Sequence, residues 1–455
     1  MKKIELVSPA GNLNKLMTAL AFGADAVYLG IPEYSLRSRI NEFTPERIRQ
    51  AVQYAHSTGK KVYVTINIFP HNSHFKNLPG YIRKLKGLKA DGLIISDPGV
   101  LETVKKIWPK AGIHLSTQAN CINKEAARFW RKQGVQRIIL GRETKLSDIK
   151  KIKSAVPGLE LECFVHGAMC MAYSGRCFLS KYLTGRSANL GDCIQPCRWK
   201  YDIKMQKHAL SSVEGSKCKN QNYISKFKIN NCGINESIGN FNNGSALIRP
   251  EGTHEAFELL EENGISYILN SKDLCLIKHL DELAGAGVTA FKIEGRTKSD
   301  YYAGMVTGIY RRALDISGDK KMKSGEKRKA LDGLFNELAA KTFHRGFTTG
   351  FLFEEGKHAQ NTDNSHKIPN WEFCGQVAKS KKRLMQIKVH NSIYKGDTVE
   401  IIQPHYGIIK MKISKMIDAG TGEEIEKAHG GRGQAVIIES KIDIPEFSLI
   451  RRKIA

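Results

Sequence analysis

The stretch "IELVSPAGNLNKLMTALAFGADAVYLG" (Ile4–Gly30) decides the fold class. A short apolar stretch, "IELV", is followed by Asn12, a residue type that caps helix N-termini. An apolar pattern of helical period then runs to Gly23, where a helix can stop. A second apolar stretch, "AVYL", comes next. The pattern is strand, helix, strand. It recurs along the chain with "VYVTINI", "GLIIS", "IHLST", "RIIL" and "ELECFV", and much later with "TAFKI". The intervening segments Thr44–Gly59 and Asn123–Gly134 again begin at a capping residue and end at glycine. Seven such units and an eighth predict an α/β protein, a (β/α)8 TIM-like barrel over residues 1–318. No GxGxxG follows the first strand, which weakens a dinucleotide-binding doubly wound sheet.

In such barrels chemistry sits at the carboxyl ends of the strands. Here those ends carry Ser8, Tyr28, Asn67, Asp97, Gln118, Arg142 with Glu143, His166, and Glu294 with Arg296. Polar strand ends are common. "LGRE" and "KIEGR" stand out because each sets an acid and an arginine just past an apolar strand.

Directly after the seventh strand runs "CMAYSGRCFLSKYLTGRSANLGDCIQPC" (Cys170–Cys197), which holds four of the ten cysteines of the chain. An even spread would place fewer than one there. The cysteine-rich insertion, residues 163–200, is therefore expected over the barrel mouth. The spacing Cys170-x6-Cys177-x15-Cys193-x3-Cys197 contains no CxxC of the kind zinc knuckles use. Wide, uneven gaps suit a cubane iron–sulfur cluster, whose irons are bound separately. Zinc and free redox thiols remain open as alternatives. An Asn-, Ser- and Lys-rich excursion follows at about residues 203–245.

Residues 319–370 read as a basic connecting segment opening with "DKKMKSGEKRK". From Trp371 short alternating stretches predict a small antiparallel β-barrel domain over 371–455. The net charge of +26 favours a polyanion partner, of which RNA is the commonest in the cytosol. No apolar run is long enough for a bilayer, so no membrane association is expected, and the leader-free N-terminus predicts a cytoplasmic protein. No GxSxG or HExxH occurs, and a Cys170–His166 couple would leave three cysteines unexplained.

The segments "ELVSPAGNLNKLMTALAFGADAVYLG", "FVHGAMCMAYSGRCFLSKYLTGR", "GDCIQPCRW", "NSKDLCLI", "FKIEGRTKSDYY" and "HRGFTTGF" resemble the collagenase-like peptidase family, U-type number 32. The resemblance covers nearly the whole chain apart from the Asn-rich excursion. It implies, despite the peptidase label, an oxygen-independent tRNA hydroxylase that makes 5-hydroxyuridine at the wobble position. It further implies a 4Fe-4S cluster and prephenate as the hydroxyl source. The implied cluster ligands are Cys170, Cys177, Cys193 and Cys197, with Cys232 as the alternative fourth. On that reading tRNA is the partner, Tyr28 would stack on a flipped base, and Arg142, Arg176 and Arg296 would hold a small dicarboxylate donor. Glu143, His166 and Glu294 would move protons. A peptidase and a non-catalytic RNA-binding protein are the competing readings.

Overall fold

The computed structural model describes residues 4–36, 42–199, 270–353, 359–361 and 365–454, with short strands at 201–202, 245–248, 257–260 and 265–266. The Asn-rich excursion and Cys232 lie outside the described residues.

Eight parallel strands close into a barrel: β1 (Glu5–Pro9), β2 (Ala26–Gly30), β3 (Lys61–Ile66), β4 (Gly92–Ile95), β5 (Ile113–Leu115), β6 (Arg137–Ile139), β7 (Glu160–Gly167) and β8 (Ala290–Ile293). Closure is direct, because Phe291 of β8 pairs with Leu6 of β1 on one side and Cys163 of β7 on the other. The expected helices form where their caps dictate. The side chain of Asn12 accepts from Lys15 N at the start of α1 (Leu13–Ala21), Thr44 does so for α2 (Pro45–Ser57), and Asn123 for α5 (Lys124–Lys132). The other barrel helices are α3 (Leu78–Gly87), α4 (Pro98–Ile107), α6 (Leu146–Ala155), α8 (Leu280–Gly285) and α9 (Asp300–Gly318). A short α7 (Leu179–Thr184) belongs to the cysteine segment. Apolar residues on the outer faces of the strands pack against the helices and make the main core.

The barrel interior has two layers. Val7, Ala26, Tyr28, Tyr63, Ile94, Ile139 and Ala290 fill one. The other is ionic. Arg137 pairs with Glu5, with Glu160 and with Glu162 at 3.1 Å, while Lys292 reaches Glu162 at 2.6 Å. Arg137, Glu162 and Lys292 are almost fully buried and each is matched, as burial of ions requires, while Glu160 reaches solvent at the barrel's end.

Residues 319–370 hold more than a connection. Ser324–Lys341 form a long helix, α10, packed on α9. A strand at Asp273–Cys275 pairs with the end of β7 and with Phe347–Thr348, so "NSKDLCLI" and "HRGFTTGF" meet beside the barrel mouth. The C-terminal domain is an antiparallel sheet of β9 (Trp371–Lys381), β10 (Leu384–Val389), β11 (Thr398–Gln403), β12 (Gly407–Lys412), β13 (Ala435–Glu439), β14 (Leu449–Lys453) and a short strand Ile417–Asp418. Val399 and Ile401 near one end share a core with Val436 and Ile438 near the other, so the sheet folds over on itself.

The sheet is fastened to the barrel. Arg451, fully buried, donates to Glu400 at 2.6 Å and 2.9 Å, to Glu337 of α10, and to Tyr301 of α9 at 3.1 Å. Phe22, Ile402 and Leu449 add an apolar contact. Among the described residues no helix is long and apolar enough to cross a membrane.

Candidate active site at the barrel mouth

The cysteine segment lies over the carboxyl ends of β5 and β6, held by specific bonds. The Glu143 carboxylate accepts the Ser174 backbone N–H at 2.5 Å and lies 3.0 Å from the Ser174 hydroxyl. Arg176 donates twice to the Gln118 carbonyl, at 2.8 Å and 3.1 Å. Phe69 N–H donates to Asn189 O at 3.0 Å. Arg186 pairs with Asp192 inside the segment. Gly175 has a left-handed φ of +77°, and a Cβ there would fall 2.7 Å from the Gln118 side chain. Only glycine lets the segment come this close.

The four thiols are gathered. Burial raises the pKa of Cys170 and Cys197, and smaller contributions come from Cys177 and Cys193 at Cys170 and from all three other thiols at Cys197. Among the described residues no three His, Cys, Asp or Glu side chains converge tightly enough to hold a single metal ion.

The backbone N–H two residues on donates to the sulfur of Cys177 (from Leu179, 3.3 Å) and of Cys193 (from Gln195, 3.4 Å). Such donors stabilise thiolates and tune cluster potentials. At Cys197 the Trp199 N–H goes instead to the Pro196 carbonyl. Cys170, Cys177, Cys193 and Cys197 are the four free thiols this segment offers as ligands to a metal group.

Beside the segment opens a cleft of about 550 Å³, lined by Ala168, Gln195, Arg198, Glu294, Gly295, Arg296, Thr297 and Lys298. One wall is the cysteine segment and the other is the turn after β8. Three cations face one carboxylate there. Lys298 has its pKa lowered, first by burial, with Arg345 and Arg198 adding repulsion against the opposing pull of Asp273. A small anion would relieve that crowding.

The residues expected at the mouth divide sharply. Glu294 and Arg296 line the cleft, and the buried Arg296 also donates to the Leu36 carbonyl and to Thr65 Oγ1 at 3.3 Å. Arg142 stands behind them: its Nη2 lies 2.5 Å from Glu294 and its guanidinium stacks 3.9 Å from the Phe164 ring. Arg176 and Glu143 fasten the cysteine segment, as described. Tyr28 sits inside the barrel, donates to Ile293 O at 3.0 Å and has the Lys292 ammonium 4.0 Å over its ring. That face is taken, so it offers no open surface to a base.

His166 is displaced by a bulge. Phe164 pairs with Lys292 but His166, not Val165, pairs with Ile293, so the strand gains a residue. The His166 ring consequently packs among Tyr302, Tyr310 and Phe347, with Nδ1 3.3 Å from Tyr310 Oη. Burial drops its pKa to about 3. No hydrogen bond joins it to Cys170 among the described residues. Ser8 and Asp97 also have structural partners, Thr307 and the N-terminus of α4.

Sequence reading missed Arg198 and Lys298. Their signal was adjacency: "CRW" follows a cysteine of the cluster set, and "EGRTKSD" puts a lysine two residues after Arg296.

The site is that of a parallel (β/α)8 barrel whose mouth is covered by a thiol-bearing segment, which walls a cleft lined by Arg198, Arg296 and Lys298. The family model for peptidase family U32 matches residues 11–362, and that for the peptidase family U32 C-terminal domain matches 369–451. The chain belongs to peptidase family U32. It is similar to tRNA hydroxylation protein P of Haemophilus influenzae, 37% identical, covering 99% of this chain and 96% of that one. It is 40% identical to tRNA hydroxylation protein P of Helicobacter pylori across all of both chains. A collagenase of Porphyromonas gingivalis is 26% identical, covering 96% of this chain and 95% of that one.

Proposed function

We propose that the protein is an oxygen-independent tRNA hydroxylase that forms 5-hydroxyuridine at the wobble position, with a 4Fe-4S cluster and prephenate as the hydroxyl donor. The observation that carries this is the placing of four free thiols, Cys170, Cys177, Cys193 and Cys197, on one segment bonded over the barrel mouth, with the sulfurs of Cys177 and Cys193 each accepting a backbone N–H. Full-length similarity to proteins named for tRNA hydroxylation supports the substrate. The charge of +26 suits a phosphate backbone.

When bound, the cluster would supply one-electron chemistry beside the cleft. The chain's own residues do the rest. Arg296, Arg198 and Lys298 would bind the carboxylates of a dianion, and their excess of positive charge over Glu294 selects for it. Glu294 is the carboxylate on the cleft wall, oriented by Arg142, and takes the proton-handling role there. Glu143 has both carboxylate oxygens on Ser174, and His166 is packed among aromatic rings with Nδ1 facing Tyr310.

The test is purification without oxygen, followed by iron, sulfide and zinc analysis per chain. About four irons and four sulfides, lost in Cys177→Ala, are expected. One zinc and no sulfide would refute the cluster and return the peptidase and RNA-binding readings to the front.

A further inference from the structure

Phe178 and Tyr182 stand one helical turn apart at α7, and their rings are 72% and 85% exposed. Positions i and i+4 share a face, so the two residues present their rings on one side of α7. Tyr173 and Trp199 of the same segment are also exposed, at 48% and 41%. Four large rings left in water within thirty residues ask for an occupant. Their frame is fixed, because Glu143, Arg176 and Asn189 tie the segment to the barrel.

The charge of the segment identifies the chemistry of that occupant. Between Cys170 and Trp199 stand Arg176, Lys181, Arg186 and Arg198 against one acid, Asp192. Lys181 lies between the two rings in sequence and is exposed. A ligand offering flat π-faces and negative charge at short intervals satisfies both features, and unpaired RNA is such a ligand. Paired bases hide their faces in the stack.

We propose that Phe178 and Tyr182 form a stacking platform for unpaired bases of an RNA loop, with Lys181 on the adjoining phosphates. This rests on the tRNA reading above and adds to it the surface that grips the single-stranded part of the substrate. The same segment supplies Gln195 and Arg198 to the cleft wall.

The experiment measures binding of the full-length, cluster-loaded protein to a labelled uridine-containing RNA of about seven nucleotides, within the span single-strand sites cover. A duplex of the same sequence is measured in parallel. Phe178→Ala and Tyr182→Ala are each expected to weaken single-strand binding about tenfold, with duplex binding and iron content unchanged. Tyr182→Phe keeps the ring and is expected to bind as the wild type does. Lys181→Gln should lower the salt dependence by about one phosphate contact.

Single-strand affinity of the double variant within about twofold of wild type overturns the platform while leaving the tRNA reading intact. An equal loss for duplex and single strand also overturns it. Loss of self-association with unchanged RNA affinity would assign the rings to a second copy of this chain instead. A wild-type protein that binds neither RNA overturns the tRNA reading and the platform together.

Discussion

Glu143 tests whether a carboxylate at the barrel mouth does chemistry or holds the cysteine segment in place. Its two oxygens meet the backbone N–H and the hydroxyl of Ser174, a non-glycine residue at φ +47°. Left-handed backbone is unfavourable for serine, so the segment needs that anchor. A hydrogen bond to a charged group is worth about 1.5–3 kcal/mol. In Glu143→Gln the amide oxygen can still accept the N–H and the amide NH2 can donate to the hydroxyl, but both bonds lose their charge, about 1 kcal/mol each. The expected cost is about 2 kcal/mol, or about 30-fold in the local opening equilibrium. Hydrogen exchange of the amides around Ser174 should quicken by that factor, and so should iron release to a chelator, while global unfolding is little changed. Turnover per cluster retained should match the wild type. Unchanged exchange with lost turnover would refute the anchoring argument and make Glu143 an acid or base.

His166 is neutral when folded, with a pKa near 3 against about 6.5 unfolded. Below pH 6.5 the unfolded chain binds a proton that the native state does not, so stability falls by about 1.4 kcal/mol per pH unit until the folded value is reached. His166→Phe should gain about 2 kcal/mol on the wild type between pH 7.5 and pH 5 in urea titrations; a constant difference would count against the buried neutral ring. Arg451→Met removes one partner of a buried network and should cost about 3–5 kcal/mol. The lower end is expected, because Lys341 remains 3.0 Å from both Glu337 and Glu400; a loss below about 1 kcal/mol would show the domains are not fastened there. Arg198→Gln should raise the KM for the dicarboxylate about tenfold or more with little change in kcat, as expected for loss of a charge-assisted bond made to the ground state. A fall in kcat alone would place Arg198 elsewhere in the reaction.

The barrel was legible because each strand–helix unit carries its own local signals. Asn12, Thr44 and Asn123 announce helix starts, and the strands are continuous apolar runs as buried parallel strands must be. The clustering of four cysteines after β7 likewise placed the segment over the mouth. Side-chain direction was not legible. His166 turns outward because a single extra residue enters β7 against Lys292 and Ile293, and no spacing in "ELECFVHG" marks that bulge. Tyr28 is capped by Lys292, a partner 264 positions away. Arg142 and Arg176 resemble cleft arginines in sequence, yet their partners are Glu294 and a main-chain carbonyl. The helix at Ser324–Lys341 was hidden by its charge. Its buried Leu331 and Leu338 sit among lysines that face water.

The most direct test of the central claim is mass spectrometry of tRNA nucleosides from cells lacking this protein, complemented with the wild-type gene or with Cys177→Ala. The account predicts 5-hydroxyuridine-derived nucleosides with the wild type and none with Cys177→Ala, although the variant protein is present and folded. Hydroxylated wobble uridine at wild-type levels in the Cys177→Ala cells would contradict it.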